Sequence, residues 1–178
     1  MSTRYSSTSN SENKKLILEV GCGGGKYTFT PAASGENVVY LDIDKPKMKL
    51  QNFIRSDACH LPFRDRTFTE IYARHVIEHL NEPSRFLQDS NRLLETSGKI
   101  HVWCPNFLSS NATKDPTHRH VFNFLKLRKI LSQSGFRPIF AEPNPGLSDR
   151  FPKVLVYLAK ILLLLLSNEL YVIGIKKN

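Results

Sequence analysis

Short apolar runs alternate along the chain with segments in which apolar residues recur at helical spacing. Such runs are typical of buried strands, and strands that alternate with helices indicate βαβ units around a mainly parallel sheet. The pattern therefore predicts an α/β domain. The predicted strands are Leu16–Val20, Val38–Leu41, Phe53–Arg55, Glu70–Ala73, Lys99–Cys104, Arg137–Ala141 and Leu170–Ile175.

Two segments carry the spacing of amphipathic helices. In Pro83–Leu94 the apolar residues share one side, and Asn81 is placed to cap the helix N-terminus. In Phe124–Ser134 the apolar residues again share a side, and Gly135 fits a C-terminal stop. Both patterns predict helices that bury one face.

The first residues differ in composition from the rest. Residues 1–13 are rich in Ser, Thr and Asn, which predicts a disordered tail, and residues 14–178 are long enough for a single domain. The N-terminus shows no apolar stretch typical of a secretory signal, so we expect a cytoplasmic protein.

An apolar helical insertion is predicted at about 151–167. Its apolar part, Val154–Leu166, is interrupted only by Lys160 and would span about 20 Å as a helix, short of the roughly 30 Å of a bilayer's hydrocarbon layer. Three roles remain open. The helix (152–167) would lie in the protein interior or in the interface with a homodimer mate or another partner, line an apolar substrate pocket, or make a peripheral membrane contact.

Charge is unevenly distributed along the chain. The net charge is +9, and residues 90–178 hold 13 Lys and Arg against 5 Asp and Glu, which places +8 in this half. A basic half favours anionic partners such as phosphorylated small molecules, acidic lipid headgroups or nucleic acid. A solvated surface explains the same charge equally well.

The first predicted strand runs directly into a glycine-rich turn that holds Gly21, Gly23 and Gly25. Glycines adopt backbone angles forbidden to other residues and let main-chain N–H groups approach a ligand. The spacing is not that of a dinucleotide loop, because position 26 is Lys, and not that of a P-loop, because Tyr27 follows where Ser or Thr is required. Ligand contact and a simple tight turn both remain open.

A carboxylate ends the second predicted strand. Asp42 lies 21 residues after Gly21, the spacing at which nucleotide-binding α/β domains place an acid that accepts the ribose hydroxyls. Strand position favours Asp42 over Asp44 for this role. Capping of the following segment by either carboxylate is the alternative.

Five motifs stand in order along the chain: Glu19–Gly25, the strand that ends at Asp42, Ser56–Ala58, Leu61–Phe63 and Phe68–Leu80. Together they resemble the class I S-adenosylmethionine-dependent methyltransferases, most closely the small-molecule branch that includes ubiquinone and menaquinone methyltransferases. The resemblance runs from about Leu16 to Lys177. It implies an α/β fold with a Rossmann-like seven-stranded sheet, mostly parallel with an antiparallel last strand (Glu169–Lys176), and helices on both faces. It also implies methyl transfer from the cofactor S-adenosylmethionine to a small-molecule or lipid-linked acceptor.

The resemblance further implies a role for each matched residue. A carboxylate such as Asp57 would accept from the adenine amino group, and Ile43 offers apolar area to the adenine ring. The implied cofactor-binding residues are Glu19, Gly21, Cys22, Gly23 and Gly25 at the methionine end, Asp42 at the ribose, Ile43, Asp57 and Ala58 at the adenine, and Arg74 and His75 near the methyl group.

Three departures from the family pattern bear on function. Thr69 stands where family members usually have Asp, and the segment Lys26–Asn37 leaves room only for a brief first crossover helix. The helices that often cover the active site are mostly absent, because the first strand begins near residue 16. The substrate would then enter an open face, or a partner would supply the lid.

Histidines in the loop after the fifth predicted strand, Lys99–Cys104, are the candidates for catalysis. Methyl transfer depends largely on alignment, and a base is needed only where the nucleophile carries a proton of high pKa. His118 or His120 can act as that base near neutral pH. Arg119 and Lys114 are placed to hold an anionic group of the substrate. A loop held by its own hydrogen bonds is the alternative.

Other polar residues nearby are also candidates. Asn106 follows Pro105 in a pair that resembles one found in methyltransferases acting on quinones, lipids and glycans, and it would orient a substrate hydroxyl. The Glu78-His79 pair recurs in the resembling family, and a local hydrogen-bonding role is favoured for it. We expect no metal site, because the loop offers only two close histidines and Asp115 as ligands.

Two other functions remain open. The basic half supports an RNA methyltransferase, but no RNA-binding module or clustered run of Lys and Arg is visible, so nucleic acid is the less favoured partner. Thr69 and the reduced N-terminal cover suggest a non-catalytic cofactor-binding or regulatory subunit.

Overall fold

The computed structural model describes residues 15–23, 37–140 and 167–177. The predicted tail at 1–13, Gly25, most of the segment Lys26–Asn37 and all but the last residue of the apolar insertion at about 151–167 lie outside these ranges. Within them, no helix is long and apolar enough to span a membrane.

Seven strands form one sheet, in the order β3-β2-β1-β4-β5-β7-β6. Strand β7 runs antiparallel to both of its neighbours, and the other neighbouring pairs are parallel. The seven-stranded, mostly parallel sheet with an antiparallel last strand is therefore confirmed. The strands are β1 (Leu16–Val20), β2 (Asn37–Asp42), β3 (Phe53–Arg55), β4 (Phe68–Arg74), β5 (Leu94–Pro105), β6 (Phe136–Phe140) and β7 (Glu169–Lys176).

Strand β5 is longer than its apolar pattern predicts. The pairing of β4 with β5 shifts between Phe68 and Glu70, so that Phe68 lies opposite Leu94 and Glu70 opposite Lys99. The extra residues form a bulge in which Ser97 takes a positive φ of 62°. The polar residues 95–98, whose sequence is typical of a turn, are thus part of the strand.

The described helices are α1 (Pro83–Leu93), α2 (Ser110–Lys114) and α3 (Phe124–Gln133). The prediction that Asn81 caps α1 is wrong: the cap residue is Glu82, and its side chain makes no capping hydrogen bond. Pro83 opens the helix and has no N–H to satisfy, which removes one of the groups that a cap would serve.

Helix α3 begins and ends as its sequence predicts. The Asn123 side chain accepts a hydrogen bond from the Lys126 N–H at 2.8 Å, and Gly135 follows the helix with a φ of 87°. The short helix α2 is new to the structure, and the Ser109 hydroxyl caps it by accepting from the Asn111 N–H at 3.2 Å.

One face of the sheet carries the main aliphatic core. The side chains of Leu18, Ile71 and Ile100 are fully buried there, and both α1 and α3 pack against this face. The opposite face carries a smaller apolar cluster around Tyr40 and, further along, a row of stacked rings from β4, β5 and β7. These rings are Tyr72, His101, Trp103 and Tyr171.

The strand order places a reversal at β1. The chain moves outward from β1 to β2 and β3, then returns to the other side of β1 with β4 and β5. At such a switch point the connections after neighbouring strands leave in opposite directions, and a crevice opens at the carboxyl ends of the strands. The glycine-rich turn after β1 and Asp42 at the end of β2 both lie there.

Candidate functional site

A cavity of about 420 Å³ occupies the crevice at the switch point. This volume falls in the range of roughly 300–1,000 Å³ that is usual for small-molecule sites. Val20 and Leu41 give it an apolar floor, while Gly21, Gly23 and Asp42 form one rim. We call it the glycine cavity.

The two described glycines of the loop have different reasons to be glycine. Gly21 has a φ of 75°, its N–H donates to the Leu41 carbonyl at 2.8 Å, and a Cβ there would overlap the Val76 side chain. Gly23 has a φ of 58°, and no atom of the residues that the structure describes would lie within 4 Å of a Cβ there. The first glycine is required by packing and conformation, whereas the second leaves the rim of the cavity free of side-chain atoms.

The Asp42 carboxylate is fixed by main-chain groups. Its Oδ2 accepts a hydrogen bond from the Gly23 N–H at 2.7 Å, and its Oδ1 accepts from the Asp44 N–H at 3.0 Å. A carboxylate has about four lone-pair sites, so two acceptor positions remain for a ligand. Asp42 lines the glycine cavity and Asp44 does not.

The far wall carries the other residues predicted to meet the adenine. Ile43 is 61% exposed and lines the cavity, so its side chain offers apolar area to a ligand there. Asp57 accepts from the Cys59 N–H at 2.8 Å through Oδ1 and lies 3.8 Å from His60 through Oδ2. Ala58 is buried beside it and also lines the cavity. These side chains fit a ligand with a flat ring, an amino group and vicinal hydroxyls.

Three predicted cofactor residues do not line the glycine cavity. Glu19 is buried in β1, and Cys22 packs into the smaller apolar cluster on the opposite face of the sheet. Burial, reinforced by the charges of Asp42 and Glu19, raises the pKa of the Cys22 thiol to about 11. Arg74 lies 3.7 Å from Glu169 of β7. A direct contact of these three side chains with the cofactor stays a prediction.

His75 lies at one end of the glycine cavity and also lines a second one. Its Nδ1 lies 3.1 Å from Glu78 Oε1, and its Nε2 lies 2.8 Å from Glu169 Oε1. The hydrogen bond to Glu78 and the charges of Glu78 and Glu169 raise the pKa of His75 despite partial burial. His75 thus joins Glu169 of β7 to Glu78 in the loop after β4.

The second cavity, of about 460 Å³, is lined by His75, His79, His118, Lys114 and Asp115, among others. We call it the histidine cavity. The rings of His79 and His118 meet edge to face with centroids 4.7 Å apart. Because His75 and His79 line both cavities, the two are adjacent.

The structure separates the two histidines that the sequence could not. His118 lines the histidine cavity, whereas His120 lines neither cavity and lies beside the ring of Phe122. Arg119, between them, lines the glycine cavity. The main-chain N–H groups of Arg119 and His120 both donate to the Glu78 carbonyl, at 2.8 and 3.1 Å, which fixes this loop against the end of β4.

Asn106 lines neither cavity. Its side-chain amide donates to the Ser167 carbonyl at 2.9 Å, and its Oδ1 accepts from the Phe107 N–H at 2.9 Å. These hydrogen bonds hold the end of β5 to the segment before β7. A role of Asn106 in orienting a substrate stays a prediction.

Sequence reasoning gave less weight to Glu78 and His79 than the geometry does. Glu78 is 1% exposed, and His79 lies at the junction of the cavities. The signal in the sequence was the Glu-His pair directly after a strand. His118, whose ring contacts that of His79, lies 39 residues after His79 in the chain. Nothing in the local pattern brings the two segments together.

Several known proteins are similar to this chain in sequence. A family model described as a methyltransferase domain matches residues 18–102. The chain is 27% identical over 134 residues to a probable S-adenosylmethionine-dependent methyltransferase of Mycobacterium tuberculosis, covering 67% of this chain and 48% of that protein. It is 30% identical over 93 residues to the demethylmenaquinone methyltransferase of Renibacterium salmoninarum, covering 48% of this chain and 39% of that protein.

The fold has close relatives among solved structures. The crystal structure of a SAM-dependent methyltransferase from Archaeoglobus fulgidus matches with a TM-score of 0.66 and 23% identity, over 91% of this chain and 86% of that chain. This likeness concerns the fold. The chain spans less than half the length of these two curated relatives.

Proposed function

We propose that the chain is a class I S-adenosylmethionine-dependent methyltransferase, and that it transfers a methyl group from S-adenosylmethionine to an O, N or C nucleophile of a small or lipid-linked acceptor. The match of residues 18–102 to a methyltransferase domain and the similar methyltransferases support this proposal. The observation that carries the proposal is the glycine cavity at the switch point, with the Asp42 carboxylate fixed at its rim. Bound S-adenosylmethionine supplies a methyl group on a positively charged sulfur, ready for in-line displacement.

In this proposal Asp42 holds the ribose. The Gly23 and Asp44 N–H groups orient its two oxygens, and the remaining lone pairs accept the two ribose hydroxyls. Ile43 covers one face of the adenine, and Asp57 and Ala58 meet its edge. The bare rim at Gly23 lets the backbone approach the ligand closely.

The acceptor is proposed to bind in the histidine cavity. The two cavities meet at His75 and His79, so a molecule in one approaches a molecule in the other there. Lys114 lines the histidine cavity and Arg119 the neighbouring one, which favours an acceptor with an anionic group. An apolar part of the acceptor would suit the predicted apolar insertion.

Among the candidate catalytic residues, His118 is the better placed. Its Nδ1 lies 3.2 Å from the Ala112 carbonyl, which can only accept, so Nδ1 carries the proton and Nε2 keeps a lone pair. A lone pair in the acceptor cavity can take the acceptor's proton or bind a cation. His120 lacks this position.

The test is a calorimetric titration with S-adenosylmethionine and S-adenosylhomocysteine. We expect micromolar binding to the wild-type protein and a loss of at least about thirtyfold, or ~2 kcal/mol, in Asp42→Asn. Asp44→Asn is the matched control, because its side chain is exposed and lies outside the cavity while its N–H still donates to Asp42. Absence of wild-type binding, or equal losses in both variants, would contradict the proposal.

The acceptor class needs a separate assay. Phenolic acceptors with and without an isoprenoid chain, presented in anionic vesicles, are to be compared for formation of S-adenosylhomocysteine. Turnover that rises with the chain supports a lipid-linked acceptor. Turnover on neither kind of acceptor, with cofactor binding intact, would count against the acceptor class and leave the cofactor site standing.

A further inference from the structure

We infer that Glu78, His79 and His118 form a binding site for a divalent transition-metal ion in the histidine cavity. A carboxylate oxygen of Glu78 and one nitrogen from each imidazole all lie within 4.8 Å of one another. Bonds of about 2.0–2.2 Å to a shared ion bring such ligand atoms to within roughly 4 Å, so small side-chain rotations complete the site. The inference goes beyond the proposed function, because the lone pair of His118 would here bind a metal ion and would not take a proton from the acceptor.

The hydrogen bonds of His79 fix its tautomer. Its Nδ1 lies 3.0 Å from the Thr117 hydroxyl and 3.3 Å from the Thr117 carbonyl. The hydroxyl donates its own proton to Asp115 Oδ1 at 2.6 Å, so it can only accept from the imidazole. Nδ1 of His79 therefore carries the ring proton, and Nε2 keeps a lone pair for a metal.

His118 is held in the same tautomer by the Ala112 carbonyl, and its side chain is 9% exposed. In known metal sites the ligating histidine almost always donates its other N–H to a carbonyl, a carboxylate or water. Both histidines here meet that condition. His118 donates to the Ala112 carbonyl, and His79 donates to the Thr117 hydroxyl, which in turn donates its own proton to Asp115.

Glu78 supplies the independent observation that points to a cation. The residue is 1% exposed, and Oε1 is engaged by His75. Its other oxygen, Oε2, is buried and has no hydrogen-bond partner among the residues that the structure describes. A buried carboxylate oxygen without a partner is costly, and a bound cation would satisfy it.

The donor set indicates the class of ion. Two neutral imidazoles and a carboxylate match the three protein ligands of catalytic zinc sites and of some iron sites, whereas Mg²⁺ and Ca²⁺ prefer oxygen alone. An ion at this place would have open positions toward the cavity for an acceptor's oxygen or nitrogen.

This site departs from the expectation of no metal. That expectation considered His118, His120 and Asp115 within one loop, and it did not include Glu78 and His79 from the end of β4. The cluster in the structure contains His79 in place of His120, and it includes the buried carboxylate of Glu78.

The experiment is a Co²⁺ titration of the tag-free full chain after removal of metals with a chelator and buffer exchange. We expect saturation at one Co²⁺ per chain, visible absorption bands of a four- or five-coordinate ion, and displacement by Zn²⁺ but not by millimolar Mg²⁺. Glu78→Gln, His79→Ala and His118→Ala should each weaken Co²⁺ binding about tenfold or more. Absence of a saturable Co²⁺ spectrum, with no calorimetric Zn²⁺ binding, would overturn the inference.

The matched control is His60→Ala, which removes an exposed histidine paired with Asp57 at 3.8 Å outside this cluster. It should leave Co²⁺ affinity within about twofold, and an equal loss there would reveal nonspecific surface binding and overturn the site. Circular dichroism checks each fold, and His118→Asn replaces the alanine variant if that one unfolds. Titration of the same samples with S-adenosylhomocysteine separates the outcomes: metal binding without cofactor binding contradicts the proposed function alone, and the reverse contradicts the metal site alone.

Discussion

The two cavities are adjacent but are built in different ways. The glycine cavity is shaped by the backbone, with a sharp turn at Gly21, a bare rim at Gly23 and an Asp42 carboxylate oriented by main-chain N–H groups. The histidine cavity is shaped by side chains that hold one another, with Thr117 and Ala112 fixing two imidazoles and Glu78 behind them.

This difference in construction indicates which cavity can more easily change its ligand specificity. A cavity made by backbone conformation tolerates little change in its sequence and suits a ligand that stays the same. A cavity made by exchangeable side chains on loops can be altered residue by residue, as is usual for the variable part of α/β enzymes. We therefore expect substitutions in the backbone turn at Gly21 to act mainly through folding, and substitutions in the histidine cavity to act mainly through ligand affinity.

The largest effect is expected for Gly21→Ala. The substitution places a side chain at a φ of 75° and pushes its Cβ into Val76, so we expect the free energy of unfolding to fall by about 2–5 kcal/mol. Gly23→Ala is the matched control, because it has a similar φ but open space, and should cost only about 1 kcal/mol. Urea denaturation measures both.

A double variant sharpens this test. Val76→Ala in the Gly21→Ala background removes the group that Cβ meets, so the two substitutions should cost less together than the sum of their separate costs. Strict additivity would show that backbone strain alone, and not the close approach to Val76, makes Gly21 necessary.

A second substitution, Glu70→Gln, tests the stability of the sheet at a residue that lines neither cavity. His101, whose Nε2 lies 3.4 Å from Glu70 Oε2, and the Tyr72 hydroxyl, which donates to the same oxygen at 2.7 Å, lower the pKa of Glu70 from 4.5 to about 2 despite partial burial. Since the folded pKa lies below the unfolded one, the stabilisation is full above about pH 4.5 and is lost as pH falls toward 2. Glu70→Gln should therefore cost about 3 kcal/mol at pH 7 and almost nothing near pH 2.

The check on Glu70 is chemical denaturation across this pH range. Glu95→Gln, a half-buried glutamate of β5, serves as the control and should change stability by less than about 0.5 kcal/mol at either pH. A cost for Glu70→Gln that stays constant with pH would contradict the assigned hydrogen bonds. Binding of S-adenosylhomocysteine should be unchanged, since Glu70 lines neither cavity.

Thr117→Val probes how the histidine cavity is held. The change keeps the shape of the side chain but removes the hydroxyl that orients His79, so Co²⁺ affinity should fall about tenfold. Thr117→Ser retains the hydroxyl and should restore wild-type affinity. The same loss in both variants would indicate that the hydroxyl does not set the His79 tautomer.

The smallest effect is expected at the rim of the glycine cavity. Ile43 is 61% exposed, so Ile43→Ala should change folding little while weakening S-adenosylhomocysteine binding about fivefold, or ~1 kcal/mol. Met48→Ala, at a residue 54% exposed and outside the cavity, should do neither. Equal binding by wild type and Ile43→Ala would argue against an apolar ring on this residue.

The same contrast explains how much could be predicted from the sequence. Strands β1 and β2, the turn at Gly21 and the carboxylate at Asp42 follow from local patterns, because each depends on residues close in the chain. The bulge at Ser97 and the cap residue of α1, Glu82, could not be located, since polar residues inside a strand resemble a turn and several residues near a helix start can cap it.

The histidine cavity lay beyond sequence reasoning for a physical reason. Its assembly depends on the Arg119 and His120 N–H groups binding the Glu78 carbonyl, a contact between main-chain atoms that leaves no residue-type signal. The sequence accordingly marked His118 and His120 as equals. Only the three-dimensional contact turns His118 toward Glu78 and His79 and places His120 beside Phe122.

The position of β7 has a consequence for synthesis of the protein. Strand β6 precedes β7 in the chain, yet β7 lies between β5 and β6, so β6 cannot join the sheet until β7 has been made. At ordinary translation rates the delay is on the order of seconds, during which β5 presents an open edge on the ribosome. Glu169, the first residue of β7, also completes the contacts of His75. Nascent chains arrested before residue 169 should therefore recruit chaperones or aggregate, and should bind neither cavity's ligand with full affinity.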